Sequence, residues 1–185
     1  MSKVASTTPT DLIWDIRGRD EIFYRACEVI GRADKQILLE IWEEDAPEIR
    51  EALALAARRG VTVLVVAYGN LDFSFARVYS HEPGPEEITC DYGGRWIILS
   101  IDSREIVTGV VSLGKESRAA WSSHLGITIP ITQEIKHDLY IAEMLHKHRD
   151  ILEASFGPAL RDLRKQFGTP IAVYRPQPEA DGDLD

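Results

Sequence analysis

The chain has 185 residues, of which 44% are hydrophobic and 28% are charged, a composition typical of one soluble globular domain with a sizeable core. No run approaches the ~20 apolar residues of a membrane-spanning helix, so we expect no membrane role. The formal net charge of −9 argues against direct DNA binding by this chain, because affinity for phosphates comes from clustered Lys and Arg.

The N-terminal residues and the two cysteines indicate a cytoplasmic protein. Residues 1–10 are polar and lack the apolar core of a signal peptide, and we expect them to be disordered. Cys27 and Cys90 match no disulfide framework, zinc knuckle or redox pair. Both cysteines are therefore expected to be reduced thiols.

The first two predicted elements are a strand and a helix. Residues 11–16 alternate apolar and polar side chains, which predicts a short strand. Apolar residues then recur at helical spacing from Asp20 to Ala33, with Gly18 or Asp20 as the N-cap.

A β-α-β unit follows. Residues 36–42 are nearly all apolar, which is typical of a strand covered on both faces. Asp45 and Glu48 have the spacing of a capping box and predict the start of a helix, and Gly60 supplies its left-handed C-cap. Residues 61–68 are rich in β-branched side chains and predict the next strand. We expect these two strands to be parallel, with a right-handed crossover.

Beyond this unit the pattern becomes more antiparallel. Residues 70–94 are typical of a loop that contains a short strand at 77–79. Residues 95–101 and 106–111 predict a β-hairpin. Together with the alternation of strands and helices upstream, this predicts an α/β fold with a mixed, mostly parallel sheet.

The C-terminal third is expected to be mainly helical, and residues 11–175 to form a single domain. The expected segments are a polar linker that carries Trp121 and His124, a strand over 125–129, a helix from Thr132 to about Phe156, a helix over 159–167, a strand over 171–174, and a disordered acidic tail over 176–185.

The histidines and glycines provide no catalytic or cofactor signature. His137, His146 and His148 do not have the spacing that would place two of them on one helical face. No Gly-x-Ser-x-Gly, phosphate-binding P-loop or Gly-x-Gly-x-x-Gly motif is present in the sequence. We therefore expect no metal, no cofactor and no nucleophilic catalysis.

Aromatic and polar side chains gather where the two central strands end. Glu40 interrupts the first strand, Trp42 ends it, and Tyr68, Asn70 and Asp72 follow at the end of the second. Ligands of open α/β sheets bind beyond the carboxyl ends of strands. Aromatic faces beside amide and carboxylate groups suit a sugar or another polyol.

Each of these residues also has a purely structural interpretation. Glu40 could pair with Arg17 or another arginine, and Trp42 and Tyr68 could simply be core. Trp96 and Trp121 could lie in the core or in a cleft, and Arg95 could bind an anion or only begin a strand. The complete set of ligand-binding candidates is Glu40, Trp42, Tyr68, Asn70, Asp72, Arg95, Asp102, Trp121 and His124.

Several segments in order resemble the effector domains of TrmB-type sugar-sensing transcriptional regulators, which have a phospholipase D-like fold. These segments are residues 14–22, 36–42, 56–69, 94–102 and 137–140, and the resemblance as a whole spans roughly Trp14 to Arg164. The resemblance implies a phospholipase D-like sandwich whose central sheet is flanked by helices.

The catalytic pattern of the phospholipase D superfamily is His-x-Lys followed by Asp. When this pattern is anchored on Asp102, Arg95 occupies the His position and Ile97 the Lys position. A guanidinium stays protonated and cannot attack phosphorus, and isoleucine offers no charge to the transition state. The downstream Gly-Ser-x-Asn is replaced by residues 109–112, Gly-Val-Val-Ser. We therefore predict that the chain is not an enzyme.

The resemblance implies a sensor of a small-molecule effector, a sugar or a similar polar metabolite, that forms a homodimer. DNA would be bound only through a winged helix, which is expected to lie outside this chain. One alternative is a divergent phosphodiesterase that uses His81 or His124. Another is a dimerisation module in which the long helix, with Ile135 and Leu139 on its apolar face, packs against its mate rather than its own sheet; packing on its own sheet is favoured.

Overall fold

The computed structural model describes residues 13–81, 95–111 and 117–167. Several expectations lie outside these residues: the disordered ends at 1–10 and 176–185, the strand at 171–174, and the environments of Cys90 and Ser112. The other expectations can be compared with the structure directly.

A seven-stranded sheet lies between helices. Its strands are β1 (Ile13–Arg17), β2 (Gln36–Trp42), β3 (Thr62–Tyr68), β4 (Arg77–Ser80), β5 (Arg95–Ile101), β6 (Glu105–Val111) and β7 (Arg118–Ser122). The helices are α1 (Arg19–Gly31), α2 (Arg50–Arg58), α3 (Leu125–Phe156) and α4 (Arg161–Phe167), with 3₁₀ turns at Ala46–Glu48 and Pro158–Leu160.

The sheet is mixed, as predicted, but its parallel share is smaller than the alternation of elements indicated. The strand order is β1-β7-β6-β5-β2-β3-β4. Only the β2–β3 and β3–β4 pairs are parallel, and the other four pairs are antiparallel. The reason is that β1 pairs with β7 at the far edge, so the first strand does not extend the parallel part of the sheet.

The β-α-β unit forms as predicted, except at the start of its helix. Gly60 has a φ of +91° after α2, in the left-handed region that glycine favours. Asp45 makes no side-chain capping bond; a 3₁₀ turn precedes α2 instead. The predicted capping box is wrong because the Asp45 carboxylate accepts hydrogen bonds from two arginine side chains.

The two faces of the sheet carry different cores. Alternate residues of the central strands, such as Ile37, Leu39 and Ile41 in β2, face α1 and α2 and join the larger core. The intervening residues face α3, whose Ile135 and Leu139 pack on the sheet. The apolar face of α3 is thus used within the chain, as favoured from the sequence. None of the helices in the described segments is long and apolar enough to cross a membrane.

The region after β6 corrects three expectations. Trp121 lies on β7 rather than in a linker. Residues 125–129 begin α3 instead of forming a strand, and Thr132 is inside that helix rather than at its N-cap. Tertiary packing overrides the β-branched propensity here, because Thr128 and Thr132, one helical turn apart, are both buried against the sheet.

Candidate functional site

Four rings meet at the carboxyl ends of β2 and β3, on the face covered by α3. Trp42 stacks on Tyr68, with ring centroids 4.9 Å apart, and Tyr68 stacks on His81 at 4.4 Å. Trp96 of β5 meets Trp42 and Tyr68 edge-on, at 5.4 and 5.1 Å. Trp42 and Tyr68 are directly paired across the parallel strands. We call these four residues the aromatic cluster.

Glu40 lies beneath the cluster, two residues before Trp42 on the same strand face, and its side chain is buried. The Tyr68 hydroxyl donates a hydrogen bond of 3.2 Å to Oε2 of Glu40. Burial, followed by the nearby negative charge of Asp138 in α3, raises the pKa of Glu40 from 4.5 to about 8. Burial also raises the pKa of Asp138. At neutral pH this pair of carboxyl groups therefore holds a proton.

Asp138 has a second neighbour in the cluster. Its Oδ2 lies 4.0 Å from Nε2 of His81, and the charge of that histidine partly offsets the effect of burial on the pKa of Asp138. Burial and the adjacent Glu40 raise the pKa of Tyr68. Its phenol stays protonated and remains a hydrogen-bond donor.

Two buried polar atoms at the site lack partners. Among the described residues, neither Oε1 of Glu40 nor Nε1 of Trp42 has a hydrogen-bond partner, although the two residues expose only 2% and 1% of their surface. Unpaired buried polar atoms are rare because each costs about 1–3 kcal/mol. Nε1 of Trp42 can only donate a hydrogen bond, whereas the carboxyl group of Glu40 can accept one when ionised and donate one when protonated. A ligand hydroxyl can therefore pair with either residue.

Arg95 lies at the same strand ends but on the other face of the sheet. Its Nε and Nη2 donate to the buried carboxylate of Asp45 at 2.6 and 3.2 Å. Arg19 adds a bond of 3.1 Å to Asp45 and one of 2.9 Å to Glu48. Hydrogen bonding to Asp45 raises the pKa of Arg95. This guanidinium therefore serves an internal ion pair.

Asn70 and Asp72 lie in the loop after β3, and both are exposed. The backbone N–H of Asn70 donates to Oε2 of Glu43 at 2.8 Å. The loop begins with Gly69, whose φ is +114° and where an added Cβ would lie 2.6 Å from that same carboxylate oxygen. These contacts hold the loop beside the strand ends, outside the aromatic cluster.

Three candidates lie at the opposite end of the sheet. Asp102 accepts hydrogen bonds of 2.8–2.9 Å from the backbone N–H groups of residues 34–36; although burial acts to raise its pKa, these bonds and Arg104 lower it to about 2. Trp121 donates from Nε1 to Glu105 at 3.0 Å. His124 caps α3 by accepting the N–H of Gly126 at 3.0 Å. Asp102, Trp121 and His124 therefore do not join the aromatic cluster.

Three residues at the site are not among the ligand-binding candidates: His81, which was considered only as an alternative nucleophile, Trp96, which could have been core or cleft, and Asp138, which sequence reasoning missed. Trp96 reaches the cluster because β5 pairs antiparallel with β2, which no local pattern predicts. The sequence did contain a signal for Asp138, because this acid directly precedes Leu139, which lies on the predicted apolar face of α3. Within the described part of the chain, no group of three or more His, Cys, Asp or Glu side chains is arranged to hold a metal ion.

Comparisons with known proteins agree with this architecture. Residues 12–91 match the family "Transcriptional regulator TrmB, EBD N-terminal subdomain". This part of the chain is therefore similar to the N-terminal subdomain of a TrmB-type effector domain. The uncharacterized protein YrhO of Bacillus subtilis (strain 168) is 51% identical over 155 residues, which are 84% of this chain and 56% of YrhO. The chain therefore spans little more than half the length of this relative.

Solved structures show which fold the chain has. TrmBL2, described as an archaeal chromatin protein with a novel mode of DNA binding, superimposes with a TM-score of 0.56 and 14% identity, over 74% of this chain and 55% of that one. Nuc of Salmonella typhimurium, a phospholipase D family member, superimposes with a TM-score of 0.52 and 16% identity, over 70% of this chain and 94% of Nuc. NucT of Helicobacter pylori superimposes with a TM-score of 0.52 and 11% identity, over 70% of this chain and 97% of NucT. The fold is phospholipase D-like.

The positions aligned with the phospholipase D catalytic pattern have structural roles in this chain. Arg95 is paired with Asp45, Ile97 is fully buried in the larger core, and Asp102 holds the start of β2. A side chain inside the core cannot contact a substrate phosphate. Two of the three positions therefore lack the required chemistry, and the third is engaged in the fold.

Proposed function

We propose that this chain is the non-catalytic, effector-sensing part of a TrmB-type transcriptional regulator, and that its effector is a sugar or a similar polyol. The observation that carries this proposal is that two buried atoms beside stacked rings, Oε1 of Glu40 and Nε1 of Trp42, have no hydrogen-bond partner in the described part of the chain. The hydroxyls of a polyol can donate a hydrogen bond to Oε1 of Glu40 and accept one from Nε1 of Trp42. Its apolar C–H faces can stack on the rings.

Ligand entry requires an opening between α3 and the sheet, because Trp42 and Tyr68 are almost completely buried. Asp138 approaches Glu40 from α3, so a ligand that enters here separates two carboxyl groups whose proximity raises the pKa of Glu40. Effector binding would thereby shift α3 relative to the sheet. In a regulator, such a shift would be passed to a DNA-binding winged helix outside this chain, within a cytoplasmic homodimer.

The proposal is tested by calorimetry with a panel of mono- and disaccharides. Trp42→Phe keeps a ring but removes the N–H, and Glu40→Gln removes the ionisable group; each is expected to weaken binding about tenfold. Trp121→Phe is the matched control, since it removes an indole N–H bonded to Glu105 at the other end of the sheet. Failure of every saccharide to bind, or equal losses in the control, would reject the sugar assignment.

The absence of catalysis is tested separately with a chromogenic phosphodiester. We expect no turnover, because the aligned nucleophile position holds Arg95 and the phosphate-holding position holds the buried Ile97. Turnover that disappears in a His81→Ala or His124→Ala variant would instead establish a divergent phosphodiesterase. Inactivity of all three proteins, together with saccharide binding, supports the sensor.

A further inference from the structure

A second concave site lies between the edge strand β4 and α3, away from the Glu40 carboxylate. It is a groove of about 390 Å³, a volume that suits a small metabolite. Arg77 and Tyr79 form one wall, His146 and Arg149 form the other, and Ala142 and Leu145 contribute apolar surface. We call it the β4–α3 groove.

The charges around the groove are unusual for this chain. The whole sequence has a formal net charge of −9, yet Arg77 and Arg149 approach the groove from opposite walls. The side chain of Arg77 is 63% exposed and that of Arg149 is 46% exposed. Nη1 of Arg149 donates to Oε1 of Glu153 at 3.0 Å. Even so, the exposure of both guanidiniums leaves donors within reach of a solute.

Carboxylates position both cations, and the one beside Arg77 has the most partners. Glu143 accepts hydrogen bonds from Nη2 of Arg77 at 2.8 Å and from the Tyr79 hydroxyl at 2.7 Å, and its other oxygen lies 2.7 Å from Nζ of Lys147. Hydrogen bonding, first from Lys147 and then from Tyr79, lowers the pKa of Glu143 to about 2. Glu143 therefore remains ionised and holds Arg77 at the mouth of the groove.

We propose that the β4–α3 groove binds a small organic anion, a phosphate ester or a carboxylate. The anionic group lies between Arg77 and Arg149, because a guanidinium presents a planar set of donors that matches both kinds of anion. The uncharged part of the ligand covers Ala142 and Leu145. This site is separate from the aromatic cluster and does not depend on the polyol proposal.

The probes are glucose 6-phosphate, glucuronate, inorganic phosphate and neutral glucose, titrated into the 185-residue chain at low ionic strength. Binding is followed by calorimetry and by the NMR signal of the His146 ring. We expect glucose 6-phosphate or glucuronate to bind at least about tenfold more tightly than glucose and to shift the His146 signal. The phosphate and carboxylate probes identify the preferred anion, and inorganic phosphate shows whether the anion alone suffices.

Variants locate the site. Arg77→Gln and Arg149→Gln are each expected to weaken anion binding about tenfold. Arg118→Gln is the matched control. Arg118 is also 63% exposed and pairs with a carboxylate, but it lies on β7, near the opposite edge of the sheet from β4. Thermal melts of all three variants report whether they are folded, and Arg77→Lys tests the need for the planar donor.

Two results would overturn the groove assignment. One is that neither organic anion binds more tightly than neutral glucose. The other is that an anion binds but Arg118→Gln weakens it as much as the two groove variants do, or that neither groove variant weakens it. Loss of anion binding in Trp42→Phe, with the groove variants unaffected, would likewise assign the anion to the aromatic cluster.

Discussion

At the scale of single residues, the surroundings of a carboxyl group decide its charge. Glu40 is enclosed by strands and α3 and has a raised pKa, whereas Asp102 receives three backbone N–H groups and has a lowered one. Glu40 lies within β2, whereas Asp102 directly follows β5. The difference in pKa arises because desolvation favours the neutral acid, and hydrogen-bond donors favour the carboxylate.

Glu40 should make the stability of the protein depend on pH. Its pKa of about 8 in the folded chain exceeds the usual 4.5, so between these values the folded state binds more protons than the unfolded state. The stabilisation is complete below pH 4.5 and is lost as the pH rises through about 8. We expect denaturant unfolding to show a free energy that falls over this range in the wild type and falls less in Glu40→Gln.

Glu51→Gln is the control for that experiment, because Glu51 is an exposed glutamate in the first turn of α2. Its pH profile should match that of the wild type. A Glu40→Gln profile that also matches the wild type would show that Glu40 is ionised throughout the range.

Asp45 should be far more important for stability than a surface aspartate that also pairs with two arginines. It is buried and pairs with Arg19 and Arg95, so Asp45→Ala leaves a half-buried guanidinium without its carboxylate and is expected to cost about 3–5 kcal/mol. Asp15 also contacts two arginines, but at the surface, and Asp15→Ala should change the free energy of unfolding far less, because solvent screens exposed ion pairs. Equal free energies of unfolding for the two variants would contradict this account.

At the scale of elements, α3 is fixed to the sheet by apolar contacts and by one buried polar contact. The hydroxyls of Ser100 in β5 and Thr132 in α3 lie 2.7 Å apart, and both residues are buried. This pair fixes how α3 lies along β5, since each hydroxyl needs the other as its partner. The packing places Asp138 beside Glu40, so the docking of one helix builds the candidate site.

The Ser100–Thr132 contact is tested by a double-mutant cycle. Thr132→Val leaves a buried serine hydroxyl without its partner and is expected to cost about 1–3 kcal/mol. Combining it with Ser100→Ala should recover part of that loss, because no unpaired hydroxyl remains.

Thr128 provides the matched control, since it is fully buried one turn earlier on α3 and its hydroxyl has no partner among the described residues. Thr128→Val should be neutral or stabilising. If chemical denaturation shows the same loss for Thr128→Val and Thr132→Val, the contact is not what holds the helix.

At the scale of the whole molecule, net charge and fold together define what the chain can bind. The formal charge of −9 repels polyphosphates at long range, while the arginines of the β4–α3 groove attract small anions at short range. These effects are compatible because the field of exposed charges is screened beyond about 8–10 Å at physiological ionic strength.

The isolated chain is expected not to bind duplex DNA. Fluorescence anisotropy with a labelled random duplex at 50 and 200 mM salt should show no binding at micromolar protein, because affinity for DNA comes from released counterions and needs a basic surface. A DNA-binding protein measured in the same buffers controls for probe quality. Affinity that falls steeply between the two salt concentrations would show that this chain itself contacts the phosphate backbone.

Much of the fold follows from short stretches of sequence. The β-α-β unit, the β5–β6 hairpin and the shared strand face of Glu40 and Trp42 were all predictable, because strand alternation, helical spacing and turn residues act over a few neighbours. Gly60 illustrates this, since its left-handed conformation ends α2 whatever the rest of the chain does. The family resemblance extended these local signals to a phospholipase D-like fold.

Only the tertiary structure decided which of these pieces meet. Pairing of β5 with β2 and docking of α3 bring Trp96, His81 and Asp138 to Glu40, and the same long-range packing carries Asp102, Trp121 and His124 to the other end of the sheet. It also turns Asp45 from an expected helix cap into an ion-pair partner. The local sequence determines the face on which a side chain lies, but its neighbours across the sheet depend on the free energy of the complete fold, to which residues far apart in the chain contribute together.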